Sequence, residues 1–107
     1  MENLNKRGNM SETKNPQPLP FGAFTLSDES PVLIIAEIAD GHMGDMDKAK
    51  RLIDAAKASG ADVVKFQLHF PEIEMGPEIK IWAGSLNDIF RKTSLSPAQH
   101  QELMSYC

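Results

Sequence analysis

The sequence has little of what several large classes of protein depend on. Its only cysteine, Cys107, is the last of 107 residues, so neither a disulfide framework nor a thiolate metal site is expected. The longest unbroken apolar run, residues 32–36, falls far short of the roughly 20 residues of a membrane-spanning helix. Residues 1–20 lack the apolar segment of a secretory signal. These absences predict a cytoplasmic protein without a membrane or redox role.

An excess of charge of one sign is also absent. The chain has 11 Lys and Arg against 15 Asp and Glu, for a formal net charge of -4, and 41% of its residues are hydrophobic. This is the composition of an ordinary soluble domain. Because the balance is mildly acidic, it provides no attraction to nucleic acid or to an anionic membrane, and neither is expected as a partner.

The chain divides into a polar tail and a patterned remainder. Residues 1–20 are rich in Asn, Lys, Ser and Pro and have almost no apolar side chains, so they predict a disordered N-terminal tail. Residues 21–26 and the turn formers of 27–31 predict a small lead-in hairpin. A compact β-branched run over 32–38 then has the character of a buried strand in a parallel sheet.

A helix and a second strand follow. From Asp45 the apolar period becomes that of an amphipathic helix, with Asp45 as N-cap and Gly60 as the left-handed residue after the last turn. The apolar stripe consists of Ala49, Leu52, Ile53 and Ala56. Residues 63–68 form a second apolar strand. Strand, helix and strand at this spacing predict a βαβ unit.

The rest of the chain is less regular. A short helical stretch is expected near residues 85–92, and Ser96 with Gln99 forms a capping box that begins another helix. The apolar pattern of this last helix is still running at Cys107. Because a parallel pair of strands is stable only among covering helices and further strands, the sequence predicts the start of a larger α/β domain.

Polar side chains collect on one face of the two predicted strands. Glu37 on the first strand, and Lys65 and Gln67 on the second, alternate with apolar residues that can take the covering helices. All three lie toward the carboxyl ends of parallel strands, where α/β proteins bind ligands. A lysine there suits a phosphate or a carboxylate. The alternative is that Glu37 and Lys65 form a buried ion pair with a structural role only.

The three histidines and a glycine motif have less specific patterns. His42 follows the first strand, and both a solvated loop histidine and a ligand contact are open for it. His69 is assigned to the phase of the apolar face and so to packing, and His100 to the surface or packing of the last helix. Gly41 and Gly44 form a G-x-x-G that is typical of loop flexibility more often than of an anion site. No pair of histidines and carboxylates has metal-ligand spacing, so no metal is placed on this chain.

A set of longer motifs resembles the opening of a known family. The motifs are AEI at 36–38, His42 followed by Gly44 and Asp45, and GAD-VKFQ over 60–67. Together with the helix between them they resemble the N-acetylneuraminate (sialic acid) synthase family over about a third of the chain. The resemblance implies an eight-stranded (β/α) barrel, of which residues 21–107 would be the first two βα units after the hairpin.

The resemblance also implies an activity. It implies a carbon–carbon bond-forming transferase that condenses phosphoenolpyruvate with an N-acylated amino sugar, N-acetylmannosamine or a derivative, as a homodimer. Lys65 then holds phosphoenolpyruvate, Gln67 lies near the acceptor, Glu37 is the glutamate of the first strand, and His42 belongs to the substrate-binding set. A divalent metal, Mn or Mg, is implied with ligands beyond Cys107, and the catalytic residues are not assigned. The 107 residues alone are expected to be inactive and poorly folded.

The loop after the first strand departs from the family pattern. Relatives commonly read G-x-N-H-N-G where this chain has residues 39–44, so Gly41 and Met43 replace two asparagines. Loops at this position select the ligand, which predicts a modified amino sugar as acceptor. Two further hypotheses stay open, another phosphate-binding barrel enzyme and a non-catalytic binding protein derived from the barrel.

Overall fold

The computed structural model describes residues 16–74, 80–81 and 84–107. Most of the predicted tail, residues 1–15, therefore lies outside the described residues, as does Trp82. The described residues fall into two units, divided between Val32 and Leu33.

The first unit contains the predicted hairpin. Strand β1 (Leu19–Phe21) pairs antiparallel with β2 (Phe24–Leu26), and Gly22 in the turn between them has a left-handed backbone with φ +58°. A hairpin is present as predicted, but its turn lies at residues 22–23, inside the predicted strand 21–26, and not at the turn formers of 27–31. Its first strand begins at Leu19, so the tail boundary at residue 20 is also wrong. Pro20 belongs to β1, because a two-stranded hairpin has only edge strands, and edge strands tolerate proline.

The second unit begins with the predicted βαβ unit, which is confirmed. Strand β3 (Ile35–Ala39), helix α1 (Met46–Ala58) and strand β4 (Val63–Phe66) follow each other, and β3 pairs parallel with β4. Both strands are shorter than the expected 32–38 and 63–68. The ladder begins at Ile35 opposite Val63, because just before it the Asp62 carboxylate accepts the N–H of Ile34 at 2.9 Å. The length of each strand depends on where β3 pairs with β4, and the apolar runs in the sequence do not contain that information.

Helix α1 has the ends that the sequence predicts. The Asp45 carboxylate accepts the backbone N–H of Lys48 at 3.0 Å, which satisfies one of the free amides of the first turn. Gly60 follows the C-cap with φ +85°, a backbone conformation that glycine adopts without a Cβ penalty.

The remaining elements are short. A single helical turn α2 (Pro71–Glu74) precedes β5 (Lys80–Ile81) and β6 (Gly84–Ser85), which pair antiparallel. Helices α3 (Leu86–Thr93) and α4 (Pro97–Tyr106) complete the unit. The capping box of α4 is confirmed, since Ser96 Oγ accepts the N–H of Gln99 and Gln99 Oε1 accepts the N–H of Ser96.

The core lies on one face of the β3–β4 pair. We name as the apolar layer its four buried residues and the partly buried ones packed against them: Ala49, Ile53, Leu95 and Leu103, with Ile38, Met46, Val64 and Phe66. The prediction that this face of the strands takes the helices is confirmed. Leu68 is exposed instead, because β4 ends at Phe66. Of the described helices, none combines the length and the apolar character that crossing a bilayer requires.

Candidate functional site

An ion pair occupies the other face of the sheet, close to the carboxyl ends of the strands. Glu37 and Lys65 are direct partners in the parallel register, and Lys65 Nζ contacts Glu37 Oε2. Their side chains are 44% and 61% exposed. The alternative of a buried ion pair does not hold in this structure: the strand alternation is right, but among the described residues no element covers that face. Exposed pairs of this kind add little stability.

A β-bulge fixes Glu37. The register moves from Glu37 opposite Lys65 to Ala39 opposite Phe66, which leaves Ile38 as the extra residue. Ala39 has a left-handed backbone with φ +49°, and its N–H donates to Glu37 Oε1 at 3.0 Å. The hydrogen bond from Lys65 is the main cause that holds the pKa of Glu37 below its usual value, and desolvation opposes it. Glu37 is thus an ionised carboxylate with both oxygens engaged.

Gln67 lies next to this pair but outside the ladder. Strand β4 ends at Phe66, and the Gln67 side chain is exposed. Of the predicted set, the structure brings Glu37 and Lys65 into direct contact, and Gln67 follows one residue after the end of β4.

His42 is fully buried, at 0% exposure. Its Nδ1 accepts the N–H of Gly44 at 3.0 Å, and its ring lies 5.9 Å from the ring of Phe66. Desolvation is the main cause that lowers the pKa of His42, against the opposing charge of Asp40. The hypothesis of a solvated loop histidine is wrong, because the β3–α1 loop (residues 40–45) turns this side chain inward, where it is buried beside the ring of Phe66.

The β3–α1 loop is tightly hydrogen-bonded. Gly41, Met43 and Asp45 donate their backbone N–H groups to the carbonyls of Ile38, Asp40 and His42. Gly44 has φ +81°, and a Cβ placed on it would lie 2.7 Å from the carbonyl oxygen of Lys92 in α3. Since these amides are engaged within the loop, the G-x-x-G motif is neither an open anion site nor a flexible linker. Its glycine at position 44 is required by close packing.

His69 makes polar contacts that the sequence interpretation missed. Its Nε2 lies 3.0 Å from Asp40 Oδ2, its Nδ1 lies 2.9 Å from Glu74 Oε2, and its ring centroid is 4.3 Å from that of Phe90. The bond to Glu74, and then that to Asp40, raises the pKa of His69. The assignment to the apolar phase is wrong. Position 69 has the parity of Lys65 and Gln67, not that of the apolar residues Val64 and Phe66, but β4 ends at Phe66, so parity alone does not predict its contacts.

His100 has the packing role expected for it. It meets the ring of Phe66 edge-on, with the two centroids 6.3 Å apart, and burial lowers the pKa of its imidazole. Within the ranges that the structure describes, no group of three or more His, Cys, Asp and Glu side chains is arranged to hold a metal ion. The described residues therefore supply no ligand set for the implied divalent metal.

Comparison with known proteins identifies the family. A sequence model of the NeuB family matches residues 52–107, more than half of the chain. The chain belongs to the NeuB family. This confirms the resemblance to sialic acid synthases that the motifs indicated.

Relatives of this NeuB-family chain are much longer than it is. N-acetylneuraminate-9-phosphate synthase of Mus musculus is 37% identical over 84 residues, which cover 71% of this chain and 23% of that protein. N,N'-diacetyllegionaminic acid synthase of Legionella pneumophila is 62% identical over 34 residues, or 32% of this chain and 10% of that protein. The crystal structure of spore coat polysaccharide biosynthesis protein SpsE of Bacillus subtilis matches with a TM-score of 0.61 and 31% identity, covering 85% of this chain and 25% of that one. The chain spans about a quarter of the length of the first and third of these.

Proposed function

We propose that this chain is the N-terminal part of a synthase that condenses phosphoenolpyruvate with an N-acylated amino sugar to give a sialic-acid-like nonulosonate. Residues 19–107 would supply the hairpin and the first two βα units of an eight-stranded barrel. Membership of the NeuB family and the names of the two synthases support the proposal. Alone, the 107 residues would be inactive.

The observation that carries the proposal is the half-exposed cation at the carboxyl end of β4. Glu37 holds Lys65 Nζ from the neighbouring strand, and the N–H of Ala39, just after the bulge at Ile38, holds Glu37. An ammonium group has three donors, so Lys65 can keep its bond to Glu37 and still donate to an oxyanion. The phosphate and carboxylate of phosphoenolpyruvate are ligands of this kind. Glu37 would therefore orient the cation that binds the donor substrate.

Of the other two predicted residues, Gln67 would act at the acceptor, and His42 would act only through the loop. Gln67 is exposed beyond the end of β4, where its amide can both donate to and accept from a sugar. His42 is buried with Nδ1 engaged, so we assign it to shaping the β3–α1 loop rather than to contacting substrate.

The reaction has a simple balance of bonds. Carbon 3 of phosphoenolpyruvate attacks the aldehyde carbon of the acceptor, whose oxygen takes a proton and becomes a hydroxyl. Water adds at carbon 2 and gives up its protons, and as the bond from carbon 2 to the phosphate oxygen breaks, carbon 2 becomes the ketone and inorganic phosphate leaves. Lys65 would bind the donor through these steps. The general base and the implied Mn or Mg are assigned to no described residue, and a homodimer is the assembly that we expect.

Replacement of Lys65 by alanine in the full-length protein tests the donor site. Loss of a charge-assisted contact of about 1.5–3 kcal/mol should raise the KM for phosphoenolpyruvate roughly 10-fold to 100-fold and change the acceptor KM little. Lys50→Ala is the matched control, because Lys50 pairs with Glu102 on the outer surface of α1 and α4. Equal effects on both Michaelis constants, or an equal effect of Lys50→Ala, would contradict the proposal.

The altered loop favours a modified amino sugar as the acceptor. Met43 presents an exposed apolar side chain at a position where relatives commonly have asparagine. A panel of N-acetylmannosamine, its 6-phosphate and a diacetamido sugar should give the highest kcat/KM with one of the modified sugars. Preference for plain N-acetylmannosamine would count against this specificity, and binding of phosphoenolpyruvate without turnover of any sugar would favour a non-catalytic protein.

A further inference from the structure

His69 joins four parts of the second unit. It lies three residues after the end of β4, and it contacts Asp40 of the β3–α1 loop, Glu74 of α2 and the ring of Phe90 in α3. Its side chain is only 16% exposed. We name the three hydrogen-bonded residues, Asp40, His69 and Glu74, the histidine clamp.

The clamp fixes the segments on both sides of the proposed donor site. Asp40 lies three residues after Glu37, and His69 lies four residues after Lys65. The bond between Asp40 Oδ2 and His69 Nε2 therefore joins the chain leaving β3 to the chain leaving β4, just beyond the Glu37–Lys65 pair. Glu74 braces the other side, since its Oε2 contacts His69 and its Oε1 accepts the N–H of Phe70 at 2.8 Å.

We propose that His69 is a positioning residue, which through Asp40 holds the β3–α1 loop in the conformation that receives the acceptor sugar. The inference rests on the proposed function for the identity of the ligand. It assigns to His69 no contact with the reacting atoms. The residue acts through the loop, which carries Met43, and it does not act through the Lys65 cation.

The clamp requires an imidazole that carries both ring protons. Each nitrogen faces a carboxylate oxygen, and only the doubly protonated ring donates to both. The charged and titratable groups nearby are Asp40 and Glu74 themselves, Arg91 with its partners Glu72 and Asp88, and the imidazoles of His42 and His100, both of which interact with Asp40. His69, Glu72 and Arg91 line a groove of about 350 Å³. The bonds to Glu74 and Asp40 raise the pKa of His69, so the clamp is complete below the ordinary histidine value. It loses one bond as the pH rises through that raised value.

Two variants of the full-length protein, His69→Leu and His69→Gln, test the proposed positioning role of His69. His69→Leu should raise the acceptor KM about tenfold and leave the phosphoenolpyruvate KM within about twofold, because the clamp contacts the loop and not Lys65. His69→Gln keeps one donor toward Asp40 and should recover part of the loss. In the wild type the acceptor KM should rise above the pKa of His69, and this rise should be absent from both variants. His100→Gln, a histidine change in α4, is the control and should keep the wild-type pH profile.

Amide hydrogen exchange gives a second readout that needs no turnover. Met43 and Asp45 donate within the β3–α1 loop, and both amides should exchange faster in His69→Leu than in the wild type or His100→Gln. Unchanged amide exchange in His69→Leu, or equal changes of the KM for the acceptor and for phosphoenolpyruvate, would overturn the proposed role of His69. Absence of turnover in the wild type would instead overturn the proposed function, and exchange would then decide on the clamp alone.

Discussion

The apolar layer and the carboxyl edge of the same two strands are built on different principles. The apolar layer is made of regular elements whose side chains exclude water, with Ala49 and Leu103 almost completely buried. The carboxyl edge has exposed charges at Glu37 and Lys65, a bulge at Ile38 and a tight loop. Burial of apolar side chains stabilises the apolar layer. The carboxyl edge exposes charged side chains, so burial does not account for its arrangement.

Backbone strain is distributed in the same way. Among the described residues, the two non-glycine positions with positive φ are Ala39 and Met43, and both lie at the carboxyl edge. A left-handed backbone costs about 1–2 kcal/mol at such residues. Strained positions that persist are concentrated at functional sites, because the surrounding structure must hold them. The apolar layer therefore supports the fold, and the carboxyl edge carries the candidate chemistry.

The largest effect is expected in the apolar layer. Leu103→Ala should lower the free energy of unfolding by about 2–5 kcal/mol, because it opens a cavity at a side chain that is 2% exposed. Met104→Ala changes the next residue of α4, which is 71% exposed, and should stay within about 0.5 kcal/mol. Chemical denaturation of the full-length protein measures both, and similar losses would mean that the layer does not dominate stability.

The next effect tests the packing of the β3–α1 loop. Gly44→Ala should cost about 1–3 kcal/mol, because the new Cβ combines positive φ with a close approach to the Lys92 carbonyl. Gly60→Ala is the control: its φ is also positive, but the space around it is open, so the cost should be about 1 kcal/mol. Thermal unfolding of both variants measures the two losses of stability. Equal losses would mean that the contact with α3 adds nothing to the cost at Gly44.

A smaller effect of opposite sign is expected at Met43. Met43→Asn should raise the free energy of unfolding by about 0.5–1 kcal/mol, because asparagine adopts the left-handed conformation more readily than methionine. Met104→Asn, the same change on an exposed helical residue, should instead lower it by about 0.5 kcal/mol. If Met43→Asn is also destabilising, the side chain of Met43 makes a contact that offsets the backbone strain.

The smallest effect is expected from the ion pair at the edge. The pKa of Glu37 is held low mainly by the hydrogen bond from Lys65, so its stabilisation is present above the ordinary glutamate value of 4.5 and lost as pH falls through the lowered one. Lys65→Gln should therefore change the unfolding temperature little at neutral pH and reduce its dependence on acid pH. A large loss at neutral pH would favour the structural role.

The local features of the fold were predictable from neighbouring residues. Asp45, Ser96 and Gly60 mark helix ends because capping bonds reach only three or four residues along the chain. The alternation of Glu37 and Lys65 with apolar neighbours gave the correct faces and the correct cross-strand pair. Their binding of substrate, with Gln67, stays a prediction.

The histidines show where prediction from the sequence failed. For His42 the sequence allows either solvent or a ligand contact, but its side chain is buried beside Phe66. For His69 the sequence predicts packing, but its ring bonds to Asp40 across a separation of 29 residues. No local pattern records such a contact, because it depends on how two loops leave adjacent strands.

The caps of α1 and α4, the βαβ order and the division of the strands into an apolar and a polar face can be predicted from the residues alone. These features follow from hydrogen bonds and side-chain periods within a few residues. The length of the ladder, the turn α2, the bulge at Ile38, the burial of His42 and the histidine clamp emerge only in the folded unit. Each of these depends on the pairing of β3 with β4 or on the packing of α3, which brings distant residues into contact and fixes the backbone between them.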